Sequence, residues 1–391
     1  MRVFLIAGEA SGDRLGGALM AGLSTLAPGC TFQGVGGEAM AAQGLTSLFP
    51  MQELSVMGLA EVLPRYVALK RRIAQTAQAI IAARPDVVIT IDSPDFCLRV
   101  LAQARRALPG LRTVHYVAPS VWAWRPGRAA KMAPLVDHVL ALLPFEPPYM
   151  QAAGMSCDFV GHPVVAEPRA SLQQVLDFRT RHGIDAAPML LVLPGSRRGE
   201  VDRLAPIFGA ALKPVIARHP AARVVVPTVA ALTDHVRGLV AGWPGAPVVL
   251  DPGAALAAEE KQAAFAAADL ALAASGTVSL ELAANRVPMV IGYDFNPLTR
   301  FLVRRLVRLD SATLVNLVSD TRAVPEFLLE DCQPGPIAAA LSDLMSGAPE
   351  RAAQLAAMDL TMERLGRGGT APGLRAARSV LDFMARKGGA G

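Results

Sequence analysis

Short, mostly apolar runs alternate along this chain with longer stretches in which apolar residues return every three or four positions. Val3–Ala7, Phe32–Val35, Val87–Ile91, Thr113–Val117 and His138–Leu142 form one series of such runs. Met189–Leu193, Val224–Pro227, Val248–Leu250, Leu270–Ala273 and Met289–Ile291 form a second. Runs this short and this apolar predict strands buried on both faces. Helical spacing fills the gaps, as in Leu15–Leu26 and Ile73–Ala83. Strand–helix alternation predicts an α/β protein with parallel sheets covered on both sides. Two series predict two Rossmann-like domains, residues 1–165 and 188–391, with parallel sheets facing a central cleft. A polar, proline-containing linker, 166–187, separates them and holds a helix, Leu172–His182.

Ligands of parallel sheets bind beyond the carboxyl ends of the strands, so the residues that follow each run carry the interest. Leu270–Ala273 leads into Ser275-Gly276-Thr277 and then a helical pattern containing Glu281. A strand, a tight turn and a helix start gather backbone N–H groups that have no internal partner, which suits an anion. Glu281, about one and a half turns on, is placed to meet sugar hydroxyls beside that anion. A diphosphate with ribose attached fits both. Met189–Leu193 leads into Pro194-Gly195-Ser196-Arg197, where N–H groups and a guanidinium offer a second phosphate contact. A solvated arginine at a plain junction is the blander alternative.

In the first half, Gly8-Glu9-Ala10-Ser11-Gly12-Asp13 follows the first strand. It is not the GxGxxG of dinucleotide-dependent oxidoreductases. It suits an acceptor's phosphate or hydroxyls, or else Ser11 or Asp13 caps a helix. Val87–Ile91 ends at Asp92, with Ser93, Pro94 and Asp95 following. Pro94 fits a first helical position and makes Ser93 the cap. Asp92 then points into the cleft as a general base, while Asp95 reads as a helix-start residue. Trp122, Trp124 and Arg125 follow Thr113–Val117, as cleft lining or as core. His162 reads as a structural histidine at the hinge.

Composition narrows the partners. Hydrophobic content of 52% and charged content of 18% exclude disorder. A net charge of +5 suits anionic partners, but aromatics at 5% and no dense basic tract argue against nucleic acid. The four cysteines, Cys30, Cys97, Cys157 and Cys332, lack metal-ligand spacing and read as free thiols. No DxD pair or histidine cluster asks for a metal, and no cofactor is expected. No stretch is long enough to cross a bilayer. The run from Leu54 to Arg72 has more apolar residues than one helix face needs (Val56, Met57, Leu59, Val62, Leu63, Tyr66, Val67, Leu69) and ends in Lys70-Arg71-Arg72. It is either core or a patch that enters an anionic lipid surface. Arg300, Arg304, Arg305 and Arg308 recur at helical spacing, as a solvated face or a lipid contact.

In this order, Gly8–Asp13, Ile91–Phe96, Ser120–Arg125, Leu193–Arg197 and Ser275–Glu281 resemble the lipid A disaccharide synthase family, from the first strand to about residue 335. The resemblance implies a GT-B glycosyltransferase, an architecture whose last helices often cross back to the first domain. It implies inverting transfer from UDP-2,3-diacylglucosamine to 2,3-diacylglucosamine 1-phosphate, giving the β(1→6) disaccharide 1-phosphate and UDP. It implies Asp92 as base, Arg197 at the UDP phosphates, and Ser275, Gly276, Thr277 and Glu281 at the nucleotide. It puts Asn316 near the donor, although Val315 stands where the family often has proline. It favours the membrane-entering reading of Val56–Leu69, at the cytoplasmic face of the inner membrane. The alternative is a UDP-sugar epimerase or another UDP-sugar-binding protein of the same fold. A homodimer is left open.

Overall fold

The computed structural model describes residues 1–54, 59–123, 127–296, 300 and 311–386, and for 59–66 the backbone alone. The chain divides into two compact units. One comprises Met1–Ala166 with Leu365–Gly391, the other Glu167–Arg364.

The first unit is built on six parallel strands: β1 (Arg2–Ala7), β2 (Thr31–Val35), β3 (Val87–Ile91), β4 (Thr113–Tyr116), β5 (His138–Ala141) and β6 (Ser156–Phe159), in spatial order β2-β1-β3-β4-β5-β6. Helices α1 (Ala10–Leu26), α2 (Glu38–Ala41), α3 (Leu59–Ala83), α4 (Pro94–Ala107), α5 (Gly127–Met132) and α6 (Pro147–Ala152) connect them. The central strands are buried throughout, as their unbroken apolar runs require. Parallel registers pair Ala7 with Ile91 and Ile91 with Tyr116. These strands therefore end level, and Gly8, Asp92 and Val117 leave the sheet side by side. The chain runs from β1 outward to β2, then returns to β3 on the other side of β1. That reversal makes the β1/β3 edge the switch point where open α/β sheets bind ligands. The C-terminal helix Pro372–Arg386 packs on α1 within this unit and is tied to β5 and β6. His138 bonds Ser379 at 2.8 Å, and Ser379 donates to Asp158 at 2.7 Å.

The second unit repeats the plan. It begins with α7 (Leu172–Arg181), capped by Ser171, whose hydroxyl accepts the Gln174 N–H. Its strands are β7 (Met189–Leu193), β8 (Arg223–Pro227), β9 (Val248–Leu250), β10 (Leu270–Ala273), β11 (Met289–Tyr293) and β12 (Glu326–Leu328), ordered β12-β11-β10-β7-β8-β9 and all parallel. Helices α8 (Arg198–Arg218), α9 (Thr233–Val240), α10 (Ala257–Ala267) and α11 (Val278–Ala284) lie between them, and three more follow among the described residues before the unit ends. The switch point falls between β7 and β10. Ala273 pairs with both Leu193 and Ile291, so Gly195 and Ser275 emerge at one edge. The two-domain α/β expectation is met. Its ten strands appear within two residues of where their apolar runs place them, and two edge strands, β6 and β12, are added.

Candidate functional site

In the second unit, a cavity of about 500 Å³ opens at the β7/β10 switch point. Gly195, Ser196, Ser275, Gly276 and Thr277 form its polar end, and Leu250, Pro252 and Phe265 its apolar end. Two glycines make the polar end possible. Gly195 (φ +120°) and Gly276 (φ +155°) hold conformations that side-chain-bearing residues avoid. Such turns expose successive N–H groups to one point. Ser275 is fixed from behind, its hydroxyl donating to the Ala312 carbonyl at 2.9 Å. Glu281 lines the wall and pairs with Lys261 at 2.6 Å. Lys261 lies 5.3 Å from the Phe265 ring centre, one turn along α10. The half-buried Thr228 hydroxyl lines the same wall and has no partner among the described residues. An apolar slot, a carboxylate at hydroxyl reach and a ring of N–H donors are the groups a nucleoside diphosphate needs.

Arg197 caps α8 at the edge of this cavity. Its side chain is 66% exposed and bonds Glu200 at 2.9 Å. Asn316 requires a correction. The resemblance puts it near the donor, but it is 1% exposed and faces inward. Its amide donates to the Val324 carbonyl and to Glu326, and its oxygen accepts the Val324 N–H. Glu326 in turn accepts the N–H groups of Ala312 and Thr313. Asn316 thus braces the loop behind Ser275 and is no part of the cavity wall.

In the first unit, a cavity of about 830 Å³ opens at the β1/β3 switch point. Asp92, Ser93, Asp95 and Glu9 line it with Arg72, Arg99, Leu54 and Leu69. The β3–α4 corner is unusual. Asp92 (φ +51°) and Ser93 (φ +43°) are both left-handed, in succession, with no glycine. Each costs about 1–2 kcal/mol. Pro94 at the first helical position forbids Ser93 the ordinary helical conformation. The Asp92 N–H is held by the Tyr116 carbonyl at 2.9 Å. Two strained residues in a row at a ligand-binding edge are a functional signature. Gly8 is part of the same corner: a Cβ there would lie 2.5 Å from the Ser93 hydroxyl oxygen.

The remaining expected residues divide. Glu9 lines the cavity, whereas Ser11 is an exposed residue of the first turn of α1. Gly12 is buried against Ile91. Asp13 is corrected: it neither caps α1 nor faces a ligand. It is buried, and its oxygens accept the N–H groups of Gly37, Ala39 and Met40 at 2.7–3.1 Å, which anchors α2. Trp122 packs edge-on against Phe145 and donates to buried Glu146 at 3.3 Å. Burial pushes Glu146 up to about 7, against the N–H donors of Leu143, Trp122 and Leu142. His162 is half-buried and accepts the Val164 N–H, and desolvation lowers it to about 4. Trp124, Arg125, Val56, Met57, Arg304, Arg305 and Arg308 lie outside the described residues, as do the side chains of Leu59, Val62, Leu63 and Tyr66. Arg300 is ion-paired with Asp294. Val67 on α3 is 70% exposed. Among the described residues, no helix is long and apolar enough to cross a membrane.

Sequence reasoning passed over Lys261, Phe265, Thr228, Arg99 and Glu200, and read Arg72 as the basic end of a lipid-facing run rather than as cavity lining. Glu200 had a signal, since an acidic residue three positions after a helix cap is a capping pattern. The others sit in plain helix or loop contexts.

Fold comparison defines the class. A UDP-GlcNAc 2-epimerase from Neisseria meningitidis, solved with UDP-GlcNAc bound, aligns with a TM-score of 0.64 at 11% identity, over 99% of this chain and all of that one. A putative UDP-N-acetylglucosamine 2-epimerase from Listeria monocytogenes gives 0.64 at 12%, over 99% and 96%. At such identities the likeness concerns the fold, and the fold is GT-B. Sequence comparison is narrower. The family model for lipid-A-disaccharide synthetase matches residues 3–369. The lipid-A-disaccharide synthase of Ruegeria pomeroyi is 65% identical over 387 residues, 98% of this chain and 96% of that protein. That of Rhodospirillum centenum is 49% identical over 98% and 95%. The chain belongs to the lipid-A-disaccharide synthase family, and is a glycosyltransferase of lipid A biosynthesis rather than an epimerase.

Proposed function

We propose that the β7/β10 cavity holds UDP-2,3-diacylglucosamine and that Asp92 activates the primary hydroxyl of 2,3-diacylglucosamine 1-phosphate. The uracil takes the apolar end near Leu250 and Phe265, the ribose meets Glu281, and the diphosphate lies on the Ser275–Thr277 N–H groups beside the Gly195–Ser196 turn, whose Ser196 N–H is held by Glu200. Arg197, held by Glu200 at the edge of the cavity, offers its remaining guanidinium N–H donors to the phosphates. Asp92 accepts the hydroxyl proton as the oxygen attacks the anomeric carbon from the face opposite the phosphate. The bond from that carbon to the phosphate oxygen breaks, and UDP leaves with its added negative charge on the N–H donors and Arg197. One displacement inverts the centre, from α in the donor to β in the product.

The observation that carries this reading is the left-handed Asp92–Ser93 corner at a cavity-lined switch point. Strain persists where the group it places is needed. The test supplies both diacylated substrates and follows UDP and the lipid product. β(1→6) disaccharide 1-phosphate should form with wild type, and its rate of formation should fall about 10³-fold with Asp92→Asn. An α-linked product, or full turnover by Asp92→Asn, overturns the assignment.

The acyl chains also need an apolar place, since leaving them in water costs about 0.8 kcal/mol for each CH₂. Exposed Val67, with Lys70 and Arg71 beside it on α3, supports docking of this segment on an anionic membrane surface, from the cytoplasmic side. Val67→Glu should weaken flotation with anionic vesicles, and unchanged flotation would remove the segment from the membrane contact.

A further inference from the structure

Glu200 takes no part in the bond changes above, yet it is the best-connected side chain at the β7–α8 turn. Its carboxylate is largely shielded, 14% exposed. Oε2 accepts the N–H groups of Ser196 and Arg197, each at 3.3 Å. Oε1 accepts from the Arg197 guanidinium and from the Tyr293 hydroxyl, each at 2.9 Å. A helix cap accounts for the two N–H bonds. It does not account for the other two, which come from a cationic head and from the far end of β11.

Tyr293 is held in turn. Its ring packs edge-on to Phe295, 4.9 Å between centres. Arg203 on α8 donates to the Asp294 carbonyl at 3.1 Å, pinning the end of β11 to the same helix. Burial, and the bond to Glu200, push the Tyr293 hydroxyl up to about 12, so it remains a donor across the neutral range.

The arrangement bears on an arginine that otherwise projects into solvent. A free arginine loses about 2 kcal/mol of rotamer entropy when it is ordered on a ligand. A guanidinium has five N–H donors in a rigid plane. Glu200 takes one corner of that plane and leaves the other donors for a phosphate.

We propose that Tyr293 and Glu200 form a relay that positions Arg197 for the donor diphosphate. Tyr293 fixes the carboxylate, and the carboxylate fixes the guanidinium. Neither residue touches the substrate. The inference rests on the diphosphate role given to Arg197 above.

A double-mutant cycle in steady-state kinetics of the full chain, with the UDP donor varied, tests it. Tyr293→Phe removes one hydroxyl and keeps the ring in place. It should lower kcat/KM for the donor about fivefold, less than the full worth of a hydrogen bond to a charged group because the residue acts only through Glu200. The KM for the acceptor and the thermal midpoint should not move. In the Arg197→Ala background the same substitution should cost less than about twofold, because coupled residues lose their interaction once. Glu200→Gln keeps the shape and should lose about tenfold, again only while Arg197 is present. A Tyr293→Phe loss of equal size with and without Arg197 overturns the relay, as does wild-type kinetics in Tyr293→Phe. If Arg197→Ala turns over donor like wild type, the diphosphate role itself falls and takes the relay with it.

Discussion

Under the proposed chemistry, the two switch points solve opposite problems. In the second unit the groups required are backbone N–H donors, and glycines at 195 and 276 take up the unusual conformations at little cost. In the first unit the group required is a side chain, so glycine is no help. Asp92 and Ser93 accept left-handed backbones that glycine would have made easy. A site that binds charge through the main chain can be relaxed. One that aims a carboxylate at the same kind of edge must hold strain, and the Tyr116 carbonyl, Pro94 and the close approach of Gly8 are what hold it.

The sharpest break between the two halves comes from Asp92→Asn. Asparagine keeps the shape and tolerates the left-handed conformation, so the corner survives. Only proton acceptance is lost. Turnover should fall about 10³-fold, the scale of one general base. UDP affinity, measured by calorimetry, should stay as in wild type. A parallel loss of UDP binding would mean that the halves are not separate in function.

Gly276→Ala addresses the other half. Among the described residues, no atom beyond its chain neighbours lies within 4 Å of where its Cβ would be, so none of them clashes. The cost is conformational alone, on the order of 1–3 kcal/mol at such a φ. The turn should relax away from its anion-binding shape, and UDP should bind roughly tenfold to a hundredfold more weakly. Unchanged UDP affinity would show that the N–H groups of this turn are not the phosphate ligands.

Much of this was legible in the sequence, because buried parallel strands announce themselves as apolar runs and the residues after them are the site. That rule singles out Asp92, Gly195 and Ser275–Thr277, and these residues line the two cavities. β6 (Ser156-Cys157-Asp158-Phe159) and β12 (Glu326-Phe327-Leu328) were not, since edge strands are half-exposed and carry mixed residues. Lys261 and Phe265 were hidden in α10, whose alanine-rich sequence shows no functional spacing. The left-handed corner was invisible because strain belongs to the packing around it. Asn316 and Asp13 were misplaced for a shared reason. A polar residue next to a motif reads as a ligand contact, and only coordinates reveal that its bonds are spent on neighbouring backbone.

Gly8→Ala sharpens the account of how strain is held. The new methyl would sit 2.5 Å from the Ser93 hydroxyl oxygen and 3.0 Å from its Cβ. Serine is too short to swing far, so the corner must shift and carry Asp92 with it. A misplacement of this kind should lower kcat about tenfold while UDP affinity holds. Adding Ser93→Gly removes the collision and the left-handed penalty at once, and should restore part of the loss. If the double variant is no better than Gly8→Ala, the contact does not set the position of Asp92.

The smallest expected effect concerns pH, and it too belongs to the half built from side chains. Glu146 lies immediately before α6 with its ordinary value of 4.5 raised to about 7 by burial. Between those values the folded chain binds more protons than the unfolded one, so this group's contribution to stability falls as pH rises through the window. A shift of that size is on the order of 3 kcal/mol. Buried His115, lowered to about 4 from 6.5, works in the opposite sense: its contribution is complete above 6.5 and is lost as pH falls towards 4. Glu146→Gln removes the first effect and leaves the second. Glutamine also loses a hydrogen bond, because its amide nitrogen cannot accept from the Leu142, Leu143 or Trp122 donors, but that loss is the same at every pH. The thermal midpoint of Glu146→Gln relative to wild type should therefore climb by a few degrees between pH 5 and 8. A difference that stays flat across this range would mean that Glu146 is already charged at pH 5, and that its three N–H donors outweigh its burial.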